Sequence, residues 1–113
     1  MELDQIKVLL IEDEEFDVRR IKNTIAPHRE RICIQEIVST GEDAIETLEK
    51  KGPYDVAILD YQISGGLYGE RLIKRLKKVD PSIQIIVITK MTINQTDLHF
   101  ANQLIESGDR KSV

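Results

Sequence analysis

Glu12-Asp13, Asp60 and Thr89 each follow an apolar run: Val8 to Ile11, Val56 to Leu59 and Ile85 to Ile88. Runs of this length suit buried strands, where a charge is costly, so the acids mark points at which the chain leaves the core. Carboxylates gathered in one place repel one another unless a cation stands between them. An all-oxygen donor set suits Mg²⁺, which binds through one or two carboxylates plus phosphate and keeps several waters. With such an ion in place, an outward carboxylate can accept a phosphoryl group, the protein mainly supplying position. Asp60 is then the expected nucleophile, forming an acyl phosphate. The Thr89 hydroxyl is expected within hydrogen-bonding reach of a phosphoryl oxygen. Gly65, Gly66 and Gly69 leave the intervening loop free to bring backbone groups toward the metal.

Each of these residues has a plainer reading when taken alone. Glu12-Asp13 suits the start of a helix, where negative charge complements the dipole. Asp60 alone is an ordinary strand-terminal acid, and Thr89 an ordinary β-branched strand residue. The plain readings lose weight only because the positions recur at comparable strand ends. His28 and His99 share no ligand spacing with each other or with Cys33, so neither is a candidate metal ligand. Tyr61 and Tyr68 flank the loop and either gate it or pack against it.

Positioning these residues requires several elements. Ile6 to Ile11 reads as a strand, followed by Val18, Ile21 and Ile25 on one helix face, stopped by Pro27. Ile32 to Val38 is a β-branched-rich second strand. Thr40-Gly41-Glu42-Asp43 resembles a capping box opening a helix with Ala44, Ile45 and Leu48 inward, ended by Gly52-Pro53. The strand into Asp60 follows. Leu72, Ile73, Leu76 and Val79 then mark a helix closed by Asp80-Pro81, and Ile83 to Ile88 a strand. Leu98, Ala101 and Ile105 suggest a last helix, with Gly108 as its C-cap. Alternating strands and helices favour a doubly wound parallel sheet covered on both faces. Right-handed crossovers place every strand's C-terminal end on one edge, so Glu12, Asp13, Asp60 and Thr89 are expected to converge.

Residues 1–113 are long enough for one domain with one modest core. The formal net charge of −4 argues against electrostatic binding to nucleic acid or anionic lipid. The basic residues between Arg71 and Lys78 sit toward a helix C-terminus, where cations are favourable, and read as a solvated face. No apolar run approaches membrane-spanning length, and MELDQIKV lacks the layout of a signal peptide, so a cytoplasmic location is expected. The single Cys33 allows no internal disulfide and reads as a buried, inert thiol.

"VLLIEDEEFDVRRIKNTI", "PYDVAILDYQISGGLYGERLIKRLK" and "PSIQIIVIT" resemble, in turn, three parts of the receiver domains of two-component response regulators. These are the first strand with its acidic pair and helix, the phosphoacceptor strand with its loop and helix, and the fourth strand with its terminal hydroxyl. The resemblance runs from about Ile6 to Gly108 and implies a flavodoxin-like fold. It also implies that Asp60 receives a phosphoryl group from a histidine kinase or phosphotransfer protein. Asp13 would bind Mg²⁺ directly, Glu12 chiefly through water, and Gln62 through its backbone carbonyl. Thr89 would be the switch residue that moves toward the phosphate.

Some positions depart from the family's pattern. Ser64 stands where a proline is usual, the loop from Asp60 to Gly69 is one residue longer than the commonest form, and Lys90 replaces a small residue. The fifth strand, its lysine and the last helix have little room after Gly108, so they are expected to be truncated or rearranged. Either the sequence is cut from a longer chain or the last unit has been lost or exchanged. Lys90, or else Lys111, is the candidate to supply the missing lysine's charge to the phosphate. A bare sheet edge would be covered by a homodimer or by helical structure through Val113.

The leading expectation is a signalling switch, not an enzyme. The alternative is an interaction module that keeps the fold without phosphorylation. A phosphohydrolase is disfavoured because such enzymes often place a second acid two residues after the nucleophile, where this chain has Gln62. A nucleotide site is disfavoured because Glu12-Asp13-Glu14-Glu15, not a glycine-rich turn, follows the first strand.

Overall fold

The structure is a computed structural model and describes residues 4–60 and 69–88. The strands are β1 (Ile6–Ile11), β2 (Ile32–Val38), β3 (Val56–Asp60) and β4 (Gln84–Ile88). The helices are α1 (Glu15–Ile25), α2 (Gly41–Lys51) and α3 (Gly69–Val79), with a 3-10 turn at Ala26–His28. The strands form one parallel sheet in the order β2-β1-β3-β4, so their C-terminal ends share an edge. The expected strand–helix alternation and doubly wound sheet are therefore present, in flavodoxin-like form.

Side-chain alternation sorts the core onto two faces. Ile6, Val8 and Leu10 of β1 and Val56 and Ile58 of β3 pack with Ile21 and Ile25 of α1. Leu9, Ile11, Ala57 and Leu59 pack on the other face with Leu48 of α2 and Leu72 and Leu76 of α3. Central strands buried on both faces need continuous apolar runs, which explains the uninterrupted Val8–Ile11 and Val56–Leu59 stretches.

β2, at an edge of the described sheet, departs from regular pairing. Val8 lies opposite Ile34 but Leu9 opposite Glu36, leaving Gln35 as an extra, bulged residue. The bulge exchanges the strand's faces: Ile32 and Ile34 pack on the α1 side, whereas Val38 packs on the α2–α3 side. It also puts Glu36 within 3.6 Å of Lys51 at the end of α2. Cys33 is half-buried rather than enclosed, because its strand is covered less completely than β1 or β3.

Local signals account for the element ends. The Thr40 hydroxyl oxygen accepts a hydrogen bond from the Asp43 amide at 3.1 Å, capping α2. Pro27 does not stop the chain abruptly; it lies in the tighter 3-10 turn that continues α1. Gly69 begins α3 with φ of 60°, a left-handed conformation that favours glycine. At the opposite edge from the acids, the Asp55 carboxylate accepts the Lys7 amide at 2.8 Å and the Asp55 carbonyl accepts the Gln84 amide at 3.0 Å. Asp55 thereby ties the starts of β1, β3 and β4 together. Among the described residues, no helix is long and apolar enough to cross a membrane. The expected last helix, the rebuilt C-terminal unit and any dimer contact through it lie outside the described residues.

Candidate functional site

Asp60 is the last residue of β3, and only 2% of its surface is exposed. It shares the side-chain parity of Val56 and Ile58, which places it on the α1 face of the sheet. Glu12 also is 2% exposed. Its amide still donates to Val38 O at 2.9 Å, so the β1 line continues one residue past Ile11 and Glu12 keeps the parity of Leu10. Two acids on neighbouring strands, at the same edge and on the same face, are thereby brought together.

The turn from β1 into α1 adds a third. Glu14 is the N-cap of α1, and no side chain of its own caps the helix. Its amide instead donates to Glu12 Oε2 at 3.1 Å, which anchors the helix start to the strand end. Asp17 lies one turn into α1 and is half-buried, whereas Glu15 and Phe16 are exposed. Glu12, Asp17 and Asp60 each place one carboxylate oxygen within 4.8 Å of the other two. This all-oxygen set, partly withdrawn from water, fits Mg²⁺ by donor type.

Asp13 stands at the same edge but is exposed and outside this three-oxygen group. Gln62, Thr89 and Lys90 lie outside the described residues, as do Tyr61, Ser64, Gly65, Gly66, Tyr68, His99 and Lys111. Asp17 was not singled out by the sequence reading. As an acid in a first helical turn it looks like an ordinary partner of the dipole. Its position five residues after Glu12, where α1 leaves the strand edge, is the signal that could have marked it.

Residues 8–108 match the response regulator receiver domain family. The chain belongs to that family. As a receiver domain it is a phosphoacceptor signalling module, and its acidic edge is where such domains generally hold a divalent ion. No curated protein matches the sequence.

Several solved structures share the fold. RcsB of Salmonella typhimurium, in a study of conformational dynamism for DNA interaction, is 23% identical with a TM-score of 0.75, over 94% of this chain and 63% of that one. The isolated REC domain of RcsB from Salmonella enterica serovar Typhimurium, studied with the phosphomimetic BeF₃⁻, is 24% identical with a TM-score of 0.69. That match covers 90% of this chain and 73% of the other. The response regulatory domain of mrkE from Klebsiella pneumoniae is 19% identical with a TM-score of 0.75, over 92% and 96%. The chain thus spans less than two thirds of the length of the first RcsB chain. At these identities the likeness shows the fold alone.

Proposed function

We propose that this receiver domain is the phosphoacceptor switch of a two-component system, taking its phosphoryl group on Asp60. The observation that carries the reading is the meeting of Asp60 with Glu12 at the C-terminal edge of the sheet, inside a chain matched to the receiver family over residues 8–108. The donor is a histidine kinase or a phosphotransfer protein, acting in the cytoplasm. An Asp60 carboxylate oxygen attacks the phosphorus of the donor's phosphohistidine. A P–O bond forms to Asp60 and the P–N bond breaks. Its electron pair stays on the imidazole nitrogen, which takes a proton from solvent.

Glu12, Asp13, Asp60 and the backbone carbonyl of Gln62 would hold Mg²⁺, which when bound neutralises charge on the attacking carboxylate and the transferring group. Thr89 would donate its hydroxyl to a phosphoryl oxygen, and Lys90 would contribute positive charge to the phosphate. The parity of β3 aims Asp60 across the α1 face, and the Glu14 amide fixes one oxygen of Glu12, so both acids are held by backbone already committed to the fold. The phosphorylated state would be read by a partner or an attached output domain.

Incubation with acetyl phosphate and Mg²⁺, followed by intact-mass measurement, tests this reading. The unaltered protein is expected to gain the mass of one phosphoryl group and the Asp60→Asn variant none. An equal gain in Asp60→Asn would exclude Asp60 as the acceptor.

A further inference from the structure

We propose that Asp17 is a further carboxylate of the divalent-cation site and sets how tightly that site holds Mg²⁺. The proposal rests on reading the acidic edge as the site of phosphorylation, and deepens it. Neither the sequence pattern nor the resemblance to receiver domains pointed to Asp17; the folded arrangement does.

Three observations place it there. One Asp17 oxygen lies within 4.8 Å of an oxygen of Glu12 and of an oxygen of Asp60. The two partners are almost fully buried, so charge added beside them is screened less than charge on the open surface. Along the first turn of α1, Asp17 is half-buried while Glu15 and Phe16 face solvent. A purely helical role would be served as well by Glu15, which carries the same charge at the same helix end without approaching Asp60.

The consequence is electrostatic. Each carboxylate added to a site strengthens its attraction for a dication, and the same carboxylates repel one another when no ion is bound. Mg²⁺ keeps several of its waters, so Asp17 acts either on the ion directly or through a bound water. Carboxylates that orient or hold such outer contacts typically change metal affinity by about tenfold to a hundredfold when removed.

Calorimetric titration of the protein with MgCl₂, together with thermal melts in chelator and in excess Mg²⁺, tests the proposal. Asp17→Asn and Asp17→Ser are expected to bind Mg²⁺ at least about tenfold more weakly. Both should gain less thermal stability on going from chelator to excess Mg²⁺ than the unaltered protein does. Glu15→Gln, which removes a charge from the same helix turn, should keep its affinity within about twofold. Unchanged Mg²⁺ affinity in the Asp17 variants would overturn the proposal, as would an equal loss in Glu15→Gln. Either result, with Mg²⁺ binding and Asp60 phosphorylation intact in the unaltered protein, leaves the phosphoacceptor reading standing. Failure of the unaltered protein to bind Mg²⁺ would overturn both.

Discussion

At the scale of single residues, a buried ionisable group is held in whichever charge state its surroundings favour. Tyr54 is 4% exposed within the core formed by α2, α3 and the sheet. Burial raises its phenol above the ordinary value of 10.0, and the Glu36 carboxylate adds to the effect. The neutral form is therefore favoured in the fold. An unfolded Tyr54 loses its proton near pH 10 while the folded one still holds it, so the unfolded state binds fewer protons. The associated stability is complete below about pH 10 and is lost as pH rises through the folded value. Tyr54→Phe should consequently lose less stability than the unaltered protein between about pH 8 and pH 10.5, measured by urea unfolding at each pH. Equal losses would show that the phenol contributes nothing to the alkaline limb.

At the scale of elements, Thr40 opens α2 by accepting the Asp43 amide at 3.1 Å. Its replacement by alanine leaves that amide without the side-chain acceptor. Thr40→Ala should destabilise the domain by about 1 kcal/mol in chemical denaturation, with an unchanged slope. This cap was legible from the Thr40-Gly41-Glu42-Asp43 string, because it is a local interaction between residues three apart. The continuous apolar runs of β1 and β3 were legible for a similar reason: two-sided burial leaves no polar position. The bulge at Gln35 was not, since it exists only relative to β1, and it reverses which face Val38 serves. Cys33 was misjudged on the same strand, its apolar neighbours suggesting more cover than β2 receives. Asp17 was missed because its first-turn position has a sufficient local explanation. Its approach to Asp60 depends on how the Glu12–Glu14 contact directs α1 over the sheet.

At the scale of the whole molecule, parallel pairing and two covered faces bring residues separated by half the chain to one edge. The same alternation that buries Val56 and Ile58 against α1 puts Asp60 on that face, and Glu12 arrives there by extending β1 one residue. The site is thus a by-product of the core's own periodicity, completed by the first turn of the next helix. Gln62, Thr89 and Lys90 lie outside the described residues; Thr89 is proposed from its place at the end of the fourth apolar run, Gln62 from the family resemblance, and Lys90 as a substitute for the family's lysine.

The most direct test of the central claim is chemical trapping of the acceptor. The protein is treated with acetyl phosphate and Mg²⁺, reduced with borohydride and digested for peptide mass mapping. An acyl phosphate on an aspartate is reduced to the alcohol, so homoserine should appear at Asp60 and only in the phosphorylated sample. Homoserine at another aspartate, or none in a sample whose intact mass shows the added phosphoryl group, would contradict the account.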